Sequence, residues 1–133
     1  MSLSIEELAG QYHQGWVDRD PDVIVVLHTE DSTFHMHGVT DPAVGRAAVR
    51  DLIASLLRLV PDLHFEAKRA YFGADHIVLE YDMSGTSGGS YFVCDGVDVI
   101  AVREGLVARK DTYLDVVALV DQIGALPYIG AAV

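Results

Sequence analysis

Between Leu63 and Asp115 the chain carries four runs rich in β-branched and aromatic residues: Leu63 to Phe72, His76 to Ser84, Tyr91 to Arg103 and Leu106 to Asp115. The segments between them, Gly73-Ala74-Asp75, Gly85 to Gly89 and Glu104-Gly105, are short and glycine-bearing, so consecutive strands are expected to pair antiparallel as a meander. What precedes them has a helical period. Ser4-Ile5-Glu6-Glu7 is a capping-box pattern, and Ile5, Leu8, Tyr12 and Trp16 follow at helical spacing, which predicts a first helix to about Arg19. Asp20-Pro21-Asp22 supplies an N-cap and a proline in the first turn of a second, short helix through about Leu27. Thr33 to Gly38 reads as a strand, Asp41-Pro42 to Gly45 as a loop, and Val49, Leu52, Ile53, Leu56, Leu57 and Val60 as a third helix stopped by Pro61. Val116 to Ala125 reads as a closing helix, with Gly124 and Pro127 near its end.

Helices first and long strands afterwards predict the α+β class, as one domain over residues 1–133. The expected architecture is a curved, mostly antiparallel mixed sheet wrapped around the N-terminal helices, a cone with one apolar pocket. In Phe92 to Val102 both alternating sets are mostly apolar, so both sheet faces should be covered, one by the helices and the other by a second copy of the chain. A homodimer through the outer sheet face is therefore expected.

Charge and cysteine usage narrow the partners. Twenty acidic against nine basic residues give a net charge of −11, which repels phosphate backbones and anionic lipid, so neither nucleic acid nor membrane is expected as a partner. No apolar run approaches the roughly 20 residues of a bilayer span, and the N-terminus lacks the pattern of a secretory signal. One cysteine, Cys94, makes no disulfide framework, and a cytoplasmic location is expected.

Asp98 is the sharpest chemical signal. Flanked by Val97, Val99 and Ile100 in a covered strand, its carboxyl should lose hydration and stay uncharged, able to hydrogen-bond a developing oxyanion; an Asp at a dimer seam or paired with Arg is the plain alternative. Tyr12, one turn before Trp16 on the inner helix face, is the natural second donor, although a lone buried Tyr is more often core. In His35-Met36-His37, strand alternation groups Phe34 with Met36 as the inward set and leaves both histidines outward unless a bulge intervenes. Surface or interface histidines are the favoured reading there, a general base at His37 comes next, and a metal site using His35 and His37 comes last. Leu106, Ala108, Lys110, Thr112 and Leu114 should face the core and Val107, Arg109, Asp111, Tyr113 and Asp115 the other side, which sets Lys110 and Thr112 at the pocket. Trp16, Phe34, Met36, Tyr81 and Met83 complete the expected lining. No nucleotide-binding or nucleophile-elbow motif occurs, and neither a cofactor nor a resident metal is expected.

Asp20-Pro21, Gly45-Arg46-Ala47-Ala48-Val49-Arg50, Pro61-Asp62-Leu63, Gly85-Thr86-Ser87-Gly88-Gly89, Val97-Asp98-Val99-Ile100, Glu104-Gly105-Leu106-Val107 with Tyr113-Leu114-Asp115, and Asp121 to Pro127 fall along nearly the whole chain. In these strings and in its order of elements the sequence resembles the nuclear-transport-factor-2-like superfamily, and within it the SnoaL-like polyketide cyclases and ketosteroid isomerases. That resemblance implies a cystatin-like cone in which Tyr12 corresponds to the isomerases' phenol donor and Asp98 to their protonated carboxyl. The family's base carboxylate would fall where this chain has Met36. The implied function is a cofactor-free acid/base enzyme, of isomerase or cyclase type, acting on a hydrophobic carbonyl compound of polyketide or steroid kind. The alternative is a non-catalytic protein of the same fold that binds a small hydrophobic molecule.

Overall fold

The protein is described here by a computed structural model covering residues 2–124. Helix α1 (Ile5–Val17) opens on the capping box: Glu7 N donates to Ser4 Oγ at 3.1 Å and Ser4 N to Glu7 Oε1 at 2.9 Å, which satisfies two otherwise orphaned donors. Leu8, Tyr12 and Trp16 form its buried face. Helix α2 (Pro21–Val25) starts where Asp20 accepts from the backbone N–H groups of Asp22 and Val23. After it come β1 (His28–His37), β2 (Ala43–Val44), α3 (Arg46–Leu59), β3 (His64–Phe72), β4 (His76–Ser87), β5 (Ser90–Arg103), β6 (Leu106–Leu114) and α4 (Val116–Ile123). Gly124 caps α4 in a left-handed conformation; Ala125 and Pro127, expected at this end, lie outside the described residues.

The strands form one mixed sheet in the order β2-β1-β6-β5-β4-β3. The β3-β4-β5-β6 meander is antiparallel, and β1 lies parallel to β6. The chain is thus α+β, as expected. Beyond shifts of one or two residues at element ends, three features differ from the sequence reading. Strand β1 begins at His28 rather than Thr33, because β6 captures the earlier segment: Val107 N donates to Leu27 O at 2.8 Å and His28 sits opposite Val107. The stretch read as a loop from Asp41 to Gly45 contains β2, which pairs with Thr33 and Phe34. Strand β4 continues through Ser87, so the β4–β5 turn shrinks to Gly88-Gly89, both at positive φ, a two-residue hairpin that only such residues allow without strain.

Helices α1 and α3 cover the inner face, where Leu8, Ile53, Phe92, Ile100 and Phe34 are buried. Helix α4 runs beside β5 beyond the end of β6, and the Gln122 amide bonds both N and O of Val93, replacing a missing strand neighbour. On the opposite sheet face Tyr91, Val93, Val99 and Tyr113 stand exposed.

Candidate functional site

A cavity of about 410 Å³ opens between α1 and the inner face of β3 to β6. Its walls are mostly apolar: Leu8 and Trp16 from α1, Phe65 from β3, Ile77 from β4, Ile100 from β5 and Val107 from β6 all face it. Exposed Glu6, His13, Lys68 and Arg69 stand at its rim. Its polar pole is built by Tyr12, Tyr81, Asp98 and Lys110, all buried.

Strand register brings this pole together. Asp98 lies directly opposite Thr112, whose hydroxyl donates to Asp98 Oδ1 at 2.6 Å. The Tyr81 hydroxyl donates to the same oxygen at 2.8 Å. Tyr81 can lie over β5 because its cross-strand partner is Gly96: a Cβ there would come within 2.5 Å of the Tyr81 ring. Lys110 Nζ stands 3.6 Å from the other oxygen, Asp98 Oδ2, and is caged by the rings of Tyr12, Trp16 and Phe34, with centroids 4.6 to 4.9 Å away. Burial works against the charge on Lys110, but Tyr12 and Asp98 together raise its pKa above the ordinary lysine value.

Behind Tyr12 lies His28, wholly buried, with Nε2 at 2.9 Å from the Tyr12 hydroxyl and Nδ1 at 3.3 Å from Ser32 Oγ. Burial, then the nearby charges of Lys110 and Arg46, push its pKa down to about 3, so the imidazole is neutral at pH 7. Arg46 Nε and Nη2 both donate to the His28 carbonyl, which fastens the start of α3 to β1. Burial likewise raises the Tyr12 and Tyr81 phenols, which remain protonated.

Of the residues singled out in the sequence, Tyr12, Trp16, Tyr81, Asp98 and Lys110 all reach the cavity. Tyr12 and Asp98 share its wall, but the Tyr12 hydroxyl bonds His28, and Lys110 stands between it and Asp98. Asp98 Oδ1 accepts from the Tyr81 and Thr112 hydroxyls, and the Lys110 ammonium stands beside Oδ2. Phe34, Met36, Met83 and Thr112 are buried but do not line this cavity, Phe34 and Thr112 supporting its polar pole through Lys110 and Asp98. His37, the candidate base, lies on the opposite sheet face, as alternation from buried Phe34 and Met36 requires, and Nε2 is 2.8 Å from Asp111 Oδ1. Val107, expected outward, faces in because the β5–β6 register slips by one residue between Ala101 and Val102.

His28 was missed in the sequence because it falls between the expected end of the second helix and the expected start of the first strand. Ile77 and Ile100 could have been found, since each shares a strand face with a residue that was named, Tyr81 or Asp98.

The SnoaL-like domain family matches residues 9–110. Among solved structures, a protein with a ketosteroid isomerase-like fold from Catenulispora acidiphila, in complex with trimethylamine, is 20% identical over 92% of this chain and 95% of its own, with a TM-score of 0.81. TerC co-crystallized with polyporic acid is 20% identical over 91% of this chain and 98% of its own, with a TM-score of 0.79. A candidate SnoaL-like polyketide cyclase from Jannaschia sp. is 18% identical over 92% and 93%, with a TM-score of 0.80. No curated protein matches the sequence.

Proposed function

Since the chain belongs to the SnoaL-like domain family, we propose that it is a cytoplasmic, cofactor-free acid/base enzyme acting on a hydrophobic carbonyl compound, of polyketide or steroid kind, in the cavity beneath α1. The observation that carries this reading is the Lys110–Asp98 pair at the polar pole of an otherwise apolar cavity. An ammonium and a phenol that converge in a water-poor site stabilise negative charge on a carbonyl oxygen far better than they would in water. The proposal gives that task to Lys110 and Tyr12. Asp98 Oδ1 is engaged by Tyr81 and Thr112, which orients the carboxylate and leaves Oδ2 to take up and return the proton that enolisation or ring closure moves. Neutral His28 backs the Tyr12 hydroxyl: in the tautomer that carries its proton on Nε2 it donates to the phenol oxygen and leaves the phenol proton for the substrate oxygen.

A thermal-shift screen over ketone and enone libraries, followed by a search for product, tests this reading. Conversion of a stabilising compound that is lost in Asp98→Asn, with the fold intact, is the expected result. Unchanged kinetics in that variant would remove Asp98 from the mechanism. Stabilisation without conversion across the libraries would favour the second reading, a binding protein for the same class of molecule. One observation supports that second reading: Lys110 is already engaged by Asp98 and three rings before any ligand arrives.

The proposal includes a homodimer through the outer sheet face, where Tyr91, Val93 and Val99 of β5 and Tyr113 of β6 leave large side chains exposed to water. Light scattering at micromolar concentration should give twice the chain mass; a monomer at that concentration rules the dimer out.

A further inference from the structure

We propose that His35, His37 and Asp111 form a site for one divalent transition metal, best suited to zinc, on the sheet face opposite the cavity. The site is independent of the activity proposed for the cavity. Alternation along β1 sends His35 and His37 to the same side, and the parallel pairing of β1 with β6 sets Asp111 directly opposite His35. The imidazole centroids lie 3.7 Å apart, and His37 Nε2 is 2.8 Å from Asp111 Oδ1. One donor atom from each of the three residues lies within 4.8 Å of the others. Zinc bonds to nitrogen and oxygen of roughly 2.0–2.2 Å put tetrahedral ligands about 3.4 Å from one another, so small side-chain rotations close the set.

The surroundings hold the ligands in place, as they do in built metal sites. Arg109 Nε binds Asp111 Oδ2 at 2.7 Å and leaves Oδ1 turned to the imidazoles. The Tyr113 ring stacks on His37 at 4.3 Å, with planes 8° apart, and fixes the ring's tilt. Two imidazoles and a carboxylate suit zinc, nickel or copper, whereas calcium and magnesium prefer all-oxygen sets. His35 and His37 are partly exposed in the single chain, so a fourth position stays open to water or, on the face proposed for the dimer, to a group from the second copy. A plain hydrogen bond between His37 and Asp111 accounts for two of the three residues. It does not account for the His35 side chain, which makes no hydrogen bond among the described residues, lying over the same pair.

The test is a titration of the full chain, stripped by a chelator and dialysed, with zinc chloride in a calorimeter, repeated with cobalt(II) to read its visible absorption. One zinc per chain is expected, and His35→Ala and His37→Ala should each weaken binding by at least about 10-fold. Asp111→Asn should do the same; should it unfold the chain, His35→Ala decides the matter, because that side chain supports no hydrogen bond. The proposal is overturned if no saturable binding is seen up to about 100 μM zinc, far weaker than a site of this kind. It is equally overturned if one zinc binds with the same affinity in His35→Ala and His37→Ala, since the ion then sits elsewhere.

Discussion

Asp98→Leu should cost the fold about 3–5 kcal/mol, and Lys110→Met about as much, because each strands a buried partner. Without Asp98 the Lys110 ammonium would keep only ring faces for company, and the Tyr81 and Thr112 hydroxyls would lose their acceptor. Without Lys110 a carboxylate would remain buried with two neutral donors. The double variant removes both charges at once, so its loss should be no greater than that of the milder single variant, well short of the roughly 6–10 kcal/mol that simple addition gives. Urea unfolding of the four proteins at pH 7 measures the coupling. Losses that add to within about 0.5 kcal/mol would mean that the two charges do not interact, and the polar pole would be wrongly drawn.

The second large effect is a loss of stability on mild acidification, traceable to His28. In the folded chain its pKa lies at about 3, while in the unfolded chain it returns to about 6.5. Below pH 6.5 the unfolded state therefore binds a proton that the folded state refuses, and stability rises with pH across that window and falls as pH drops through it. The contribution is fully present above pH 6.5 and declines by about 1.4 kcal/mol for each unit below, which makes about 2 kcal/mol at pH 5. Arg46, Lys110 and the Tyr12 phenol are the groups that face this imidazole, and the last two are shifted upward, away from the window between pH 5 and 7. His28→Gln, compared with the native chain by urea unfolding at pH 7 and pH 5, should show a pH difference smaller by about that amount. Equal pH differences in the two proteins would mean that His28 is reached by water and protonates as freely folded as unfolded.

The sequence revealed what depends on neighbours along the chain. Ser4 with Glu7, Asp20 with Pro21, and the glycine-bearing turns of the meander act over a few residues, and they lie where expected save that the β4–β5 turn is tighter. Alternation was equally readable while it ran unbroken, which is why Phe34 and Met36 were expected inside and His35 and His37 outside. It failed at Val107, where a one-residue register slip reverses the faces and nothing local announces it. Asp98 and Tyr12 could be named because a carboxyl in an apolar strand and a phenol on an inner helix face are visible in one dimension. Their partners were not, since Asp98 meets Tyr81 and Thr112 across strand pairings and Tyr12 meets His28 across a helix-to-strand crossing. That blindness had a chemical cost: a carboxyl judged from its own strand shows none of the groups that set its role, the Tyr81 and Thr112 hydroxyls that donate to Oδ1 and the Lys110 ammonium beside Oδ2.

Gly96 ties the polar pole to a position that carries no side chain at all. Any larger residue there displaces the phenol that steadies Asp98, and room for it returns only if Tyr81 shrinks and gives up that hydroxyl. The two positions can therefore drift only as a couple, and a relative of this fold that bears bulk at the first and a small residue at the second would hold its acid by other means, with a differently shaped chamber and a different guest.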